Sequence, residues 1–272
     1  MENKFLIGID LDGTLLNKKS RLSFSTISYL KKISKQGHII VLCTGRPLRA
    51  MLPYYKILKL NTPVICYNGG RVFNPNDKNF PSITHSFSKE DIKDIINTIG
   101  LDKIDNIMCE VDDKAWVYTH DEKIEEILWH NNISLIYGDL NNTLSENPIT
   151  FLIFSTNKEC KKILSKHIKE SYPNLKYRFW NGYLENFSEI FDKHISKYNA
   201  LKKVAQYYDI PLKNIITFGD GENDIDMISK ANYGFAMKNA ADNIKKKAKY
   251  ITTKDNDNDG VIFELKKILK RK

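Results

Sequence analysis

The chain has 272 residues, of which 42% are hydrophobic, 11% aromatic and 28% charged. This is the composition of a globular protein, and it excludes collagen-like, low-complexity and wholly disordered chains. The length exceeds what one hydrophobic core usually fills, so we expect a core domain with a smaller second one, or one large domain. A membrane-spanning helix needs about 20 apolar residues. The longest apolar stretches are far shorter, so the protein is predicted to be soluble, with no membrane partner.

The N-terminus and the cysteines favour a cytoplasmic protein. Met1-Glu2-Asn3-Lys4 leads directly into a short apolar run and lacks the features of a secretory signal. The cysteines lie far apart, with no pair at the spacing of a metal site or redox motif, and are expected to be reduced thiols. They are Cys43, Cys66, Cys109 and Cys160.

The net charge of +9 raises the question of nucleic-acid binding. Much of the excess lies in residues 238–272, which hold eleven basic and five acidic side chains. Many of these lysines fall on the polar sides of two predicted helices, around 244–248 and 261–269, so a solvated basic surface is the favoured interpretation. No nucleic-acid-binding motif accompanies them, and no nucleic-acid partner is expected.

Short apolar strands alternate with helical patterns at both ends of the chain. The N-terminal series consists of strand Phe5–Leu11, helix Ser25–Gln36, strand His38–Cys43, a helix after Pro47 and the apolar run Pro63–Tyr67. The C-terminal series consists of helix Lys197–Tyr208, strand Ile215–Phe218, helix Asn223–Ala231, strand Tyr233–Ala236 and strand Tyr250–Thr252. Near-continuous apolar strands joined by helices predict an α/β fold with a doubly wound, Rossmann-like parallel sheet.

The middle of the chain has a different pattern. Ser88-Lys89-Glu90-Asp91 resembles a capping box at the start of a helix. Strands are predicted at Ile107–Val111, Trp116–Tyr118, Thr150–Ser155, Lys176–Trp180 and Tyr183–Phe187, the last two joined by a turn at Asn181-Gly182. The span is far too long for one sheet connection. Residues 83–189 are therefore predicted to be an inserted α+β domain, and residues 1–82 with 190–272 the core.

Two carboxylates follow the first predicted strand, in Asp10-Leu11-Asp12-Gly13-Thr14. If strand geometry persists, Asp10 and Asp12 share one face at the carboxyl edge of the sheet, where ligands bind in open α/β folds. Such a pair can bind a hard cation, or one carboxylate can attack while the other moves protons. Taken alone, the pair is equally compatible with solvated loop residues.

Two further loops follow predicted strands. Cys43-Thr44-Gly45-Arg46 offers a hydroxyl, an open backbone N–H and an arginine, which can bind an anion or form an ordinary turn with Thr44 as helix cap. Gly219-Asp220-Gly221-Glu222-Asn223-Asp224 begins like a dinucleotide fingerprint. Its acids would repel a pyrophosphate and suit a divalent cation, so the dinucleotide interpretation is rejected.

Two other features have ordinary explanations. Lys197, at the start of a helix, would usually be solvated, but a carboxylate-rich site needs a fixed cation to hold a phosphoryl group. Asp255-x-Asp257-x-Asp259-Gly260 matches the first half of a calcium loop. Its twelfth position is Lys266 instead of glutamate, so we expect a polar turn and no calcium.

Together these segments resemble the haloacid dehalogenase superfamily, and within it the Cof-like hydrolases. The segment from Asp10 to Thr14 is similar to the first family motif, Thr44-Gly45-Arg46 to the second, Lys197 to the third and Gly219–Asp224 to the fourth. The resemblance extends through Asn68-Gly69-Gly70, through Asp226-Met227, through Ala236–Ala240 and through Asp259-Gly260-Val261. It hardly touches the inserted segment, which in this family is a variable lid. Asp192, His194 and Tyr198 stand where the family usually has proline and glycines around the lysine.

The resemblance implies a Mg²⁺-dependent phosphomonoester hydrolase. Asp10 would attack phosphorus and form an aspartyl-phosphate, and Asp12 would protonate the leaving alkoxide and later deprotonate the attacking water. The implied metal ligands are Asp10, the main-chain carbonyl of Asp12 and Asp220, with Asp224 supporting them. The implied phosphate-binding residues are Thr44, Gly45, Lys197 and Asn223, and Arg46 and Asn68 are further substrate candidates.

The substrate is expected to be a small phosphorylated metabolite such as a sugar phosphate, and the oligomeric state a monomer or weak homodimer. Two alternatives stay open: a sugar-phosphate mutase with the same nucleophile, and a non-enzymatic nucleic-acid-binding protein that uses the basic C-terminal residues. The aromatic residues of the predicted lid are interpreted as core and not as substrate platforms; they include Trp116, Trp129, Trp180 and Tyr183. No role is assigned to His85, His120 or His130.

Overall fold

A computed structural model describes residues 4–128, 133–180 and 186–270. Trp129, His130, Tyr183 and the turn predicted at Asn181-Gly182 lie outside these described residues. The chain divides into two compact units, residues 1–83 with 196–272 and residues 84–195.

The helices and strands of the described chain are numbered here in chain order. Up to the first boundary they are β1 Leu6–Ile9, α1 Phe24–Lys35, β2 Ile39–Leu42, α2 Leu48–Leu58, β3 Val64–Cys66, β4 Arg71–Phe73 and β5 Ile83–Thr84. The smaller unit continues with α3 Lys89–Ile99, β6 Asn106–Val111, β7 Lys114–Val117, α4 Glu122–Ile127, β8 Ser134–Tyr137, α5 Leu140–Thr143, β9 Thr150–Phe154, α6 Lys158–Ser171, β10 Leu175–Trp180 and β11 Phe187–Asp192. The larger unit resumes with α7 Lys197–Tyr207, β12 Ile215–Gly219, α8 Ile225–Lys230, β13 Tyr233–Ala236, α9 Asp242–Lys245, β14 Tyr250–Ile251 and α10 Gly260–Lys270.

Five parallel strands form the main sheet of the larger unit, in the order β14-β13-β12-β1-β2. Every residue of β1 and β12 is buried, as in a parallel sheet that is covered on both faces. From β1 the chain passes first to β2 on one side and later to β12 on the other. The carboxyl ends of β1 and β12 therefore meet at a switch point, where open α/β sheets bind their ligands. The predicted fold class is confirmed.

Helices cover both faces of this sheet. Leu6 and Gly8 face α7, because a Cβ on Gly8 would come within 2.6 Å of Leu201 Cδ1. Ile7 and Ile9 alternate to the opposite face and are also fully buried. Helix α7 packs against α8, whereas α1 packs against α2 and α10. Because helices pack on both faces of the sheet, the position of the carboxyl end of β1 is fixed.

Strand β3 differs from the predicted parallel series. It pairs antiparallel with β4, and it reaches β2's edge only through a single parallel bridge between Cys43 and Ile65. The reason is the tight reversal at Tyr67, Asn68 and Gly69, all of which have positive φ angles. The reversal sends the chain back alongside β3 instead of into a crossover helix.

The smaller unit has a six-stranded sheet in the order β10-β11-β9-β6-β7-β8. Its neighbouring strands are antiparallel except β7 and β8, which run parallel. Helix α3 begins where the sequence predicted it, because the Ser88 side chain accepts hydrogen bonds from the backbone N–H groups of Glu90 and Asp91. Helices α3 and α6 pack together over one face of the sheet, around Phe151 and Trp116. This unit therefore has an α+β architecture. That it acts as a substrate lid stays a prediction.

Strands β10 and β11 pair antiparallel, and their register places Trp180 opposite Phe187. Strand β11 continues to Asp192, so residues 190–192 pair within the sheet of the smaller unit. The predicted core boundary at residue 190 therefore falls inside this strand.

The described part of the chain shows no helix with both the length and the apolar character that a membrane crossing requires. All four cysteines are buried, and none of them forms a disulfide.

Candidate active site

Three carboxylates meet at the carboxyl edge of the main sheet. Asp10 follows β1, Asp220 follows β12, and Asp224 stands one turn further along the same loop. One carboxylate oxygen from each lies within 4.8 Å of the others, and this is the one such cluster of possible metal ligands among the described residues. The sequence predicted Asp10 and Asp220 here as ligands and Asp224 as their support.

The turn after β1 is shaped around Asp220. Gly13 has a φ angle of +73°, and a Cβ at this position would lie 2.1 Å from Asp220 Oδ2. Only glycine fits such a left-handed position so close to a carboxylate. Thr14 Oγ1 donates a hydrogen bond to Asp220 Oδ1 at 2.9 Å, which orients that carboxylate.

Lys197 is fully buried at the first turn of α7 and joins two of the carboxylates. Its Nζ lies 2.6 Å from Asp10 Oδ1 and 2.6 Å from Asp224 Oδ1. The other oxygen of Asp224 accepts hydrogen bonds from the backbone N–H groups of Asp220 and Gly221, each at 3.0 Å. Asp224 therefore holds the lysine and the loop after β12 in one arrangement.

The electrostatics of the cluster follow from burial. Burial raises the pKa of Asp10 well above its ordinary value, against the opposing charge of Lys197. Burial, with the charge of Asp224, raises the pKa of Asp220 to about 6. Burial alone would lower the pKa of Lys197, but the charges of Asp10 and Asp224 raise it. The ammonium stays charged, and it faces more carboxylates than it can neutralise.

The donor set fits a divalent hard cation. Three carboxylates against one ammonium leave an excess of negative charge, and the neighbouring carboxylates add to the effect of burial in raising the pKa of Asp10 and of Asp220. Mg²⁺ prefers oxygen ligands and is usually held by one or two carboxylates together with water and phosphate oxygens. The residues present therefore fit the predicted metal.

The predicted phosphate-binding residues lie on neighbouring loops of the same edge. Thr44 is buried, and its Oγ1 accepts a hydrogen bond from the backbone N–H of Arg46 at 3.1 Å. Asn223 Nδ2 donates to Asn68 Oδ1 at 2.9 Å. A Cβ on Gly45 would lie 3.2 Å from the same Asn68 oxygen, so the loops after β2, β3 and β12 meet here. Thr44 does not cap helix α2, whose N-cap position is Pro47.

Asp12 and Arg46 form an ion pair beside the cluster. Arg46 Nε donates to Asp12 Oδ2 at 2.6 Å, and Nη2 donates to Oδ1. Arg46 is buried, whereas the Asp12 side chain is 52% exposed. The Asp12 carboxylate is thus held by Arg46 and is not a member of the three-carboxylate cluster, which agrees with an acid–base role and not with direct metal ligation by that side chain.

The three departures from the family pattern take part in core packing or in a turn. Tyr198 is 8% exposed and packs in the core of the larger unit, and its ring contacts the ammonium groups of Lys202 and Lys230. Its bulk is therefore absorbed by the core. Asp192 Oδ1 accepts a hydrogen bond from the backbone N–H of His194 at 2.7 Å, which closes a turn.

Sequence reasoning missed the contribution of Asn239. Its Nδ2 donates to the carbonyl oxygen of Gly13 at 2.8 Å, and its Oδ1 accepts from the backbone N–H of Asn256. The residue thereby fastens the turn after β1 to the C-terminal segment. The family resemblance included Asn239, but nothing in the sequence indicates a contact across 226 positions.

The calcium-like segment is a polar turn, as expected. Asp255 accepts a hydrogen bond from the backbone N–H of Asn258, and Asp257 from that of Lys18. Asp259 accepts from the hydroxyls of Ser23 and Thr26. Each carboxylate therefore has a structural partner.

Comparisons with known proteins agree with this geometry. Residues 7–265 match the family model of haloacid dehalogenase-like hydrolases. The 5-amino-6-(5-phospho-D-ribitylamino)uracil phosphatase YitU of Bacillus subtilis (strain 168) is 32% identical over 267 residues, which are 98% of each chain. A putative phosphatase of Metamycoplasma hominis is 30% identical, over 94% of this chain and 93% of its own length. A haloacid dehalogenase-like hydrolase from Bacteroides thetaiotaomicron has a crystal structure with a TM-score of 0.79 and 26% identity, and the match covers 98% of this chain and 100% of that one.

The prediction of an enzyme that hydrolyses phosphoric monoesters is confirmed by these comparisons, since the named relatives are phosphatases. The motifs that suggested the family span both ends of the chain, and the family model covers the segment between them as well. The chain belongs to the haloacid dehalogenase-like hydrolase family.

Proposed function

We propose that the protein is a Mg²⁺-dependent phosphatase that hydrolyses the phosphomonoester of a small metabolite through an aspartyl-phosphate on Asp10. The observation that carries this proposal is the buried contact of Lys197 with both Asp10 and Asp224, beside Asp220. A fixed ammonium and a carboxylate cluster at one sheet edge are what the transfer of an anionic phosphoryl group to a carboxylate requires.

Asp10 is the nucleophile in this proposal. Lys197 fixes the direction of its carboxylate by holding Oδ1 at 2.6 Å. Attack forms a bond between an Asp10 oxygen and phosphorus and breaks the ester bond to the leaving oxygen. The ionised carboxylate is required for attack, and the charge of Lys197 favours it against the effect of burial.

Asp12 is the acid and the base. Its carboxyl group gives a proton to the departing alkoxide, which leaves as an alcohol. The resulting carboxylate takes a proton from a water molecule, whose oxygen attacks the phosphorus of the aspartyl-phosphate. Inorganic phosphate is then released, and Asp10 is regenerated.

The remaining residues hold the phosphoryl group and the metal. Thr44 Oγ1, the Gly45 N–H, Asn223 Nδ2 and Lys197 Nζ are the donors for its oxygens. Asp10 and Asp220 would hold Mg²⁺ together with the Asp12 carbonyl, and Asp224 would support them. When bound, the cation offsets the repulsion between the carboxylates and the phosphate.

The relatives and the site support a proposal for the substrate class. The site recognises the phosphoryl group, while YitU is named for a phosphate on a ribityl chain attached to a pyrimidine. We therefore place phosphorylated sugars and sugar alcohols first in a substrate panel, with that ribitylamino-uracil phosphate among them. The smaller unit is the proposed lid that selects among them.

A phosphate-release assay tests the proposal. Wild-type protein is mixed with the panel and with p-nitrophenyl phosphate, with Mg²⁺ or with a chelator. We expect Mg²⁺-dependent release of free phosphate, lost in Asp10→Asn and kept in the exposed control Asp242→Asn. A mutase would instead release little phosphate when a sugar bisphosphate is present. Normal hydrolysis by Asp10→Asn would defeat the assignment of the nucleophile.

A further inference from the structure

The Arg46 guanidinium is held by several contacts within the protein. Besides its two hydrogen bonds to Asp12, Nη1 lies 3.4 Å from the carbonyl oxygen of Ala50. The guanidinium also lies over the ring of Tyr54, 5.5 Å from its centroid. Only 6% of the Arg46 side chain is exposed, and it packs against the N-terminal half of α2.

The two hydrogen bonds to Asp12 form a planar fork. Nε and Nη2 each take a different carboxylate oxygen, so the fork sets the plane of the carboxyl group as well as its position. A lysine could supply the charge at this place, but it could not fix the plane. The contact with Arg46 therefore determines the direction in which the Asp12 carboxyl group points.

The fork leaves Asp12 able to exchange a proton. Each carboxylate oxygen has two lone-pair positions, and Arg46 uses one position on each. The Asp12 side chain is 52% exposed, so its other positions face away from the buried guanidinium. One side of the carboxyl group is thus held by Arg46, and the rest of the side chain is open to solvent.

We propose that Arg46 is the positioning residue of the acid–base group, and that it acts by aiming the Asp12 carboxyl group at the leaving oxygen and at the hydrolytic water. The inference rests on the proposed phosphatase function. In this proposal Arg46 orients a catalytic side chain. The sequence had instead suggested Arg46 as a residue that contacts the substrate.

Leaving groups that differ in basicity separate the two assignments. p-Nitrophenolate departs without a proton, whereas an alkoxide needs one from Asp12. A misplaced acid therefore slows the first turnover of an alkyl phosphate only, while a misplaced base slows the hydrolysis of the aspartyl-phosphate for every substrate. A lost substrate contact would instead raise KM for the alkyl phosphate.

The test compares Arg46→Lys with wild type and with the exposed control Arg21→Lys, by quenched flow with Mg²⁺ present. The substrates are p-nitrophenyl phosphate and the alkyl phosphate that wild type hydrolyses fastest. For Arg46→Lys we expect a first turnover of p-nitrophenyl phosphate within about twofold of wild type, followed by steady-state turnover reduced by roughly tenfold to a hundredfold. The first turnover of the alkyl phosphate should fall by a similar factor, with KM unchanged.

A double-mutant cycle completes the test. In an Asp12→Asn background, Arg46→Lys should have little further effect on either substrate, because the group that it aims is absent. A raised KM for the alkyl phosphate with unchanged kcat would overturn the proposal, as would an equal loss in both first turnovers. Inactive wild type would instead contradict the proposed function itself, so the two failures are distinguishable.

Discussion

Lys197 has no exposed surface, and it is the only described ammonium in contact with Asp10 and Asp224. A buried ion pair adds little net stability by itself, because the cost of desolvation offsets the attraction. Removal of one partner is different, since it leaves charges buried without a counterion. The lysine is thus a structural requirement of the site as well as a candidate ligand of the phosphoryl group.

Replacement of Lys197 by methionine is expected to destabilise the protein at neutral pH. The side chain keeps its volume, but Asp10 and Asp224 face each other without a cation. We expect a loss of roughly 3–5 kcal/mol in the free energy of unfolding, measured by urea denaturation in a chelator. Lys203→Met, an exposed position on the same helix, is the control. Equal stability of the two variants would show that the carboxylates do not depend on Lys197.

Asp220 gives the site a pH dependence in the absence of metal. Its folded pKa of about 6 lies above the ordinary value of 3.8, so the folded protein binds this proton more tightly than the unfolded chain does. Its contribution to stability is present below pH 4 and is lost as the pH rises through 6. Metal-free protein should therefore lose stability between pH 4 and 6 through this group.

Asp220→Asn tests this dependence. The amide keeps the shape of the side chain and cannot ionise, so the variant should be more stable than wild type at pH 7 in a chelator. Thermal unfolding across pH measures the difference, which should shrink toward pH 4. Added Mg²⁺ should raise the Tm of wild type and not that of the variant. A variant less stable than wild type at pH 7 would contradict the account.

At the residue scale, the sequence predicted which residues form the site. It did not predict several of the hydrogen bonds that join them. Asp10, Asp220 and Lys197 were expected together, because strand ends converge and the motifs resemble one family. The fork of Arg46 on Asp12 was not foreseen, since a charged pair 34 residues apart leaves no periodic signal. The link from Asn239 to Gly13 was missed for the same reason.

At the element scale, the close packing of β13 against α8 depends on Gly234. A Cβ at this position would lie 1.9 Å from the carbonyl oxygen of Ile228, which belongs to the backbone of α8. Backbone cannot move aside as a flexible side chain can. Neither residue contributes a side chain to the carboxylate cluster.

Gly234→Ala should therefore lower stability without a change in metal dependence. Overpacking of this kind costs roughly 1–3 kcal/mol, which urea denaturation would measure. The Mg²⁺ concentration that gives half-maximal activity should match that of wild type. A large change in that concentration would show that the packing of α8 controls the metal site.

The parallel elements were predictable because burial on both faces gives continuous apolar strands. Strands of the smaller unit were harder, since Ser134–Tyr137 lies at a sheet edge with mixed exposure and has no clear apolar run. Helix α6 went unpredicted although Cys160, Leu164 and Ile168 repeat every four residues along its buried face, because lysines dominate its composition. The reversal that turns β3 antiparallel depends on left-handed residues, which a single sequence marks only weakly.

At the scale of the whole molecule, the carboxylates, Lys197 and the proposed phosphate-binding residues all belong to the larger unit. They come from both ends of the chain, and Lys197 lies 187 residues from Asp10. The sequence supported this convergence only through strand order and family resemblance. The chemistry is thus assigned to one unit, while substrate choice is proposed for the other.

The central claim is that Asp10 carries the phosphoryl group between the substrate and water. Acid quenching of wild type during turnover, followed by peptide mass spectrometry, measures it directly. We expect a phosphoryl adduct on the peptide that contains Asp10, formed only with Mg²⁺ and substrate, and absent in Asp10→Asn. An adduct on another residue, or rapid turnover by Asp10→Asn, would contradict the account.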